Sequence, residues 1–178
     1  MRVIYNDGFG NKGAEGWYEI FENSMMVYIN ATNSKEDWFS NFYAFRKYDI
    51  LADCKVHIGY KEYAKWLHCF IIKLATLNNL EPGDIDIVGF SMGGGIAQIL
   101  GEYNDFNIFN IDGPRTTSKI NNSKDTLFYN KGSLVHSIPF WFKRIENAIC
   151  LNKKWSPFWK SHADFNIEEI ICTIKNGN

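Results

Sequence analysis

Along this chain the hydrophobic positions fall into two periods, one near two residues and one near three and a half. Ile85-Asp86-Ile87-Val88 alternates and is β-branched, and the turn residues Glu81-Pro82-Gly83-Asp84 stand before it, so it predicts a strand. Directly after it, Ile96, Ile99, Leu100 and Tyr103 lie at i, i+3, i+4 and i+7, the apolar stripe of a helix. Tyr60, Ala64, Leu67, Ile71 and Leu74 mark a longer helix, widened by Trp66 and Phe70 and expected to be substantially buried. Arg2 to Tyr5, Met25 to Ala31 and Phe106 to Ile111 predict strands, and Thr126 to Tyr129 predicts the last one. A short helix is expected around Trp17 to Phe21, a polar loop over Ser118 to Asp125, and a C-terminal helix over Ile167 to Lys175. Strands alternating with helices predict an α/β fold with a mainly parallel sheet and helices on both faces.

At 178 residues, residues 1–178 are expected to form a single domain with a sizeable core. The 46% hydrophobic and 16% aromatic content describes a globular chain, and a net charge of −1 argues against a dedicated nucleic-acid binder. The first residues reach Asp7 before an apolar stretch forms, and no window approaches about 18 uninterrupted apolar residues, so neither a signal peptide nor a membrane span is expected. Cys54, Cys69, Cys150 and Cys172 are scattered, which predicts reduced, mostly buried thiols in a cytoplasmic protein and no metal site.

The chemistry concentrates at Gly89-Phe90-Ser91-Met92-Gly93, a G-x-S-x-G run between the predicted strand and the predicted helix. A sharp strand-to-helix turn projects the hydroxyl of Ser91, and flanking glycines let the two elements approach without a Cβ clash. The helix N-terminus presents N–H groups and partial positive charge where an oxyanion would develop. Ser91 is therefore a candidate nucleophile in need of a base. His68 flanks the apolar stripe of the long helix and reads as structural, and His57 precedes that helix. His136 follows the Thr126 to Tyr129 strand, and His162 lies in a predicted loop before the final helix, where the order serine, acid, histidine places a base. His162 is the favoured base and His136 the alternative. A second glycine pattern, Gly8-Phe9-Gly10-Asn11-Lys12-Gly13, matches a dinucleotide-binding string, but no helix begins in it and no acidic residue ends the next strand, so it reads as a surface loop.

Several blocks in order resemble the class 3 (fungal-type) lipases of the α/β-hydrolases. Asn30-Ala31-Thr32 followed by Asp37-Trp38 resembles a strand ending in R-G-T or R-G-S and then D-W or N-W; Val56-His57-Ile58-Gly59-Tyr60 resembles V-H-x-G-F. Gly89 to Gly94 resembles G-H-S-L-G-G, Gly113-Pro114-Arg115 resembles S-P-R, and Asn130 through Pro139 resembles N-x-x-D-x-V-P. The resemblance implies a compact α/β-hydrolase fold, with Ser91 as nucleophile, His162 as base, and the backbone N–H groups of Thr32 and Met92 as the oxyanion hole. It implies a structural role for His57. Trp38 to Phe45 falls where the family carries its lid, and it reads equally as a core-packing loop. The chain departs from the pattern at Asn30-Ala31, where the family has Arg-Gly, and at Ser133, where it has the triad Asp. Asp112 stands at the preceding strand end, where the family has Gly, so it is the candidate acid, moved one strand over. Its alternative is a turn initiator.

These readings converge on a serine esterase or lipase-like hydrolase acting on a small-molecule or lipid carboxylic ester, with no metal or organic cofactor. A catalytically silent hydrolase fold used for binding, and an acyltransferase or thioesterase on the same serine, are the other readings.

Overall fold

The computed structural model describes residues 1–6, 15–30, 45–152, 154, 156–163 and 165–177. Among them lie nine strands: β1 (Val3–Asn6), β2 (Glu15–Ile20), β3 (Met25–Ile29), β4 (Arg46–Asp49), β5 (Cys54–His57), β6 (Ile85–Phe90), β7 (Asn107–Ile111), β8 (Thr126–Asn130) and β9 (Ala148–Asn152). The helices are α1 (Ile58–Leu77), α2 (Met92–Tyr103), α3 (Phe158–Ala163) and α4 (Ile167–Gly177). Seven strands form one sheet in the order β1-β2-β3-β6-β7-β8-β9, while β4 and β5 make a separate hairpin. Within the seven-stranded sheet the pairings β3-β6, β6-β7, β7-β8 and β8-β9 are parallel, and β1 and β2 add an antiparallel edge.

Alternation along the strands sorts side chains onto two faces. Met25, Val27, Ile29, Ile85, Ile87 and Ile108 pack with Tyr60, Leu67 and Ile71 of α1 and Ile96, Ile99 and Leu100 of α2. On the opposite face Met26, Tyr28, Val88, Ile111 and Phe128 pack against Ile170, Ile171 and Ile174 of α4. Both sides of the central strands are thus dry, as a parallel sheet requires.

Three sequence expectations change. Trp17 lies in β2 rather than in a short helix: it pairs with Ile4 and Tyr28, and strand partners on both sides satisfy a backbone that so short a helix would leave exposed. Thr126 to Tyr129 is not the last strand, because β9 pairs beyond it as a largely exposed edge without a clear apolar alternation. The thiols are free as expected, but only Cys54 is buried; Cys150 is half-buried, and Cys69 and Cys172 are exposed on helices. The glycine string at 8–13, Thr32 and the greater part of the aromatic segment (38–44) lie outside the described residues. No helix among the described residues is long and apolar enough to cross a membrane.

Candidate active site

β6 delivers Ser91 to the carboxyl edge of the sheet, and α2 leaves from the next residue. Ser91 is held at φ 54° and ψ −118°, a region costly for a residue with a Cβ, and its backbone N–H donates to the carbonyl of Ile111 (2.9 Å). The turn closes because of glycine at two positions. A Cβ at Gly89 would come within 2.2 Å of the Gly93 carbonyl oxygen, and one at Gly93 within 2.2 Å of the Ile29 carbonyl oxygen. Ser91 stands at the N-cap of α2, yet its hydroxyl makes no cap hydrogen bond. It points at a histidine.

The Nε2 atom of His162 lies 3.0 Å from Oγ of Ser91, and its Nδ1 lies 2.7 Å from Oδ2 of Asp112. Asp112 follows β7 directly, fully buried, with φ 48°, a left-handed conformation that Asp tolerates better than most residues. Its N–H donates to the Phe128 carbonyl (2.8 Å), which docks the acid against β8. Asn110 ties this turn to the elbow helix: its side chain donates to the Gly94 carbonyl (3.0 Å) and accepts from the Gly113 N–H (2.7 Å).

His162 is carried by α3, a short helix where the sequence predicted a loop. Six residues are too few to show helical periodicity, and tertiary contacts hold them. The buried Ser161 hydroxyl has two carbonyl acceptors within reach, those of Ser156 (2.9 Å) and Lys131 (3.1 Å), for its single proton, and Asn130 donates to the Ser161 carbonyl (3.0 Å). The imidazole of His162 stacks on Phe90 at 5.3 Å between centroids.

Asp112 gathers more donors than the sequence suggested. Nδ1 of His136 lies 2.9 Å from Oδ1, and the Ser133 hydroxyl donates to Oδ2. Burial alone would push the Asp112 carboxyl up, but hydrogen bonds from His136, His162 and Ser133 outweigh it and hold the group below the usual carboxylate range. An ionised carboxylate only accepts, so both Nδ1 atoms carry protons and Nε2 of His162 offers its lone pair to Ser91. That arrangement can draw a proton from the hydroxyl and stabilise the imidazolium that results.

His136, the alternative base, therefore faces the acid rather than the serine. Sequence reasoning missed this contact, whose one available signal was a histidine three residues beyond Ser133 in the segment after β8. His57 is buried at the N-cap of α1, where Nδ1 accepts from the Gly59 N–H (3.1 Å) and the ring stacks on Tyr60. His68, on α1, pairs with Asn104 at the C-cap of α2 and packs edge-on against Tyr103. Met92 is buried at the first turn of α2. No group of three or more His, Cys, Asp or Glu among the described residues could hold a metal ion.

No protein-family model and no curated protein sequence matches the chain. Solved structures do. The Lip2 lipase of Yarrowia lipolytica superposes with a TM-score of 0.67 at 16% identity, over 85% of this chain and 65% of that one. The mono- and diacylglycerol lipase of Aspergillus oryzae gives 0.61 at 21% identity, over 77% and 56%, and a Rhizomucor miehei lipase in complex with its propeptide gives 0.62 at 12%, over 78% and 52%. The chain thus spans between about half and two thirds of the length of these lipases. With its mainly parallel sheet covered on both faces, it has the compact α/β-hydrolase fold of lipases.

Proposed function

We propose that this chain is a serine hydrolase of carboxylic esters that works through an acyl-enzyme on Ser91. The observation that carries the reading is the unbroken relay from Ser91 Oγ to His162 Nε2 (3.0 Å) and from His162 Nδ1 to Asp112 Oδ2 (2.7 Å). The strained elbow at the N-terminus of α2 supports it.

In this reading Oγ of Ser91 attacks the acyl carbon while Nε2 of His162 takes the hydroxyl proton. Asp112 stays ionised and stabilises the imidazolium across Nδ1. Backbone N–H groups of Met92 and Thr32 receive the developing oxyanion, helped by the positive end of α2. The imidazolium returns its proton to the leaving alkoxide, which departs as an alcohol. Water then attacks the acyl carbon, giving its proton to Nε2; collapse of that second intermediate releases the carboxylic acid, and the proton returns to Ser91. Metal ions and organic cofactors have no part in the cycle. Resemblance to lipases favours a small-molecule or lipid ester as substrate.

The test is turnover of a short-chain aryl ester. Wild type should hydrolyse it, and Ser91→Ala should lose on the order of 10³-fold or more while remaining folded, since only a hydroxyl is removed. Equal rates would sink the proposal.

A further inference from the structure

We propose that His136 is a positioning residue for the acid: through Nδ1–H it clamps Oδ1 of Asp112, so that Oδ2 is aimed at His162. The proposal rests on the serine-hydrolase reading of the site and adds a second histidine to it.

An Asp side chain has two rotatable bonds, and one donor on one oxygen leaves the carboxylate free to turn about the second. Here donors reach both oxygens from different segments: His162 from α3 and the Ser133 hydroxyl onto Oδ2, and His136 from the helical turn Val135–Ser137, the one donor among the described residues, onto Oδ1. With the carboxylate fully buried, each oxygen depends on protein donors, and losing one leaves a charged acceptor undersatisfied.

His136 is itself held. Its carbonyl accepts from Arg115 Nε (3.2 Å), the neighbouring Ile138 carbonyl accepts from the Arg115 N–H (2.9 Å), and its ring lies 4.7 Å from that of Tyr129. Its side chain is buried, so the donor is fixed rather than sampled. An Nδ1–H donor at this point orients Asp112 through Oδ1 and leaves Oδ2 to face the imidazolium of His162. His136 keeps its proton throughout the cycle.

Two readouts test this. The first is the rate of phosphonylation of the protein by a fluorophosphonate probe in wild type, His136→Leu and His136→Asn. Leu removes the donor at similar bulk; Asn restores an N–H near the position of Nδ1. Leu should slow labelling about 10- to 100-fold, and Asn should recover to within about threefold of wild type. The second readout is nitrogen-15 NMR of the wild-type histidines, in which His136 and His162 should both be Nδ1–H tautomers and the His162 Nδ1 proton should resonate far downfield. That proton should shift upfield in the Leu variant and return in the Asn variant. Equal behaviour of Leu and Asn in rate and spectrum, or an Nε2–H tautomer at His136 in wild type, would overturn the proposal. The tautomer measurement needs neither a variant nor activity, so it still decides if His136→Leu does not fold. A wild type that resists labelling at Ser91 would instead remove the serine-hydrolase reading, with the spectrum still judging His136.

Discussion

At Asp112 a fully buried carboxylate sits at positive φ and accepts from Ser133, His136 and His162. Such a group is held ionised by its donors, and its replacement is therefore costly. Asp112→Asn should keep the geometry but offer His162 the wrong partner, lowering turnover of an aryl ester by about 10⁴-fold with little change in KM. A loss below tenfold would mean that Asp112 only shapes the turn. Legibility at this scale was uneven. Ser91 could be read because an elbow needs glycines at fixed offsets, and those offsets are visible in one dimension. Asp112 could be suspected because a carboxylate ends a strand next to the expected one. The contact of His136 with it could not be read, since it depends on how the turn at Val135–Ser137 folds back over a strand end. Thr32 and most of the aromatic segment, at 38–44, fall outside the described residues.

The element that matters most is the junction of β6 and α2. Gly93 lets the first turn of the helix rest on the end of β3, with no room for a methyl group between them and the Ile29 carbonyl. Gly93→Ala should displace that turn and cost about 1–3 kcal/mol or more of stability. It should also slow ester hydrolysis in the fraction that remains folded, because the serine and the helix N-terminus move together. A melting temperature and rate equal to wild type would show that the junction has slack. Elements with strong periodicity were readable, including α1, α2, β6 and α4. The errors fell on short elements whose state is set by partners rather than by pattern. Trp17 joined a strand because β1 and β3 flank it, and α3 exists because the Ser161 hydroxyl and the Asn130 amide anchor it.

At the scale of the whole molecule, the buried carboxyl of Asp125 opposes folding as pH rises. Asp125, just before β8, is 2% exposed, and neither carboxylate oxygen has a hydrogen-bond partner among the described residues. Burial, and then the charge of Glu102, pushes its pKa up to about 8. An unfolded chain releases that proton near pH 4, whereas the folded protein keeps it until about pH 8. The folded state therefore binds more protons between these values, so stability falls as pH rises through that window and levels off above it. Asp125→Asn should flatten this slope and stabilise the protein at pH 8 by about a few kcal/mol, with a smaller gain at pH 5. Denaturant melts at the two pH values check it, and a gain independent of pH would contradict the account. Exposed ion pairs such as Arg2–Glu168 should contribute little by comparison.

The central claim is that a serine at the β6–α2 junction is activated by a histidine whose acid comes from the end of β7. Its most direct measurement is the intact mass and peptide map of the protein after exposure to a fluorophosphonate probe at neutral pH. The account predicts one phosphonyl adduct per chain, on Ser91, absent in Ser91→Ala and formed far more slowly in His162→Ala and Asp112→Asn. A folded wild type that takes up no adduct, or takes it up on another residue, would contradict it.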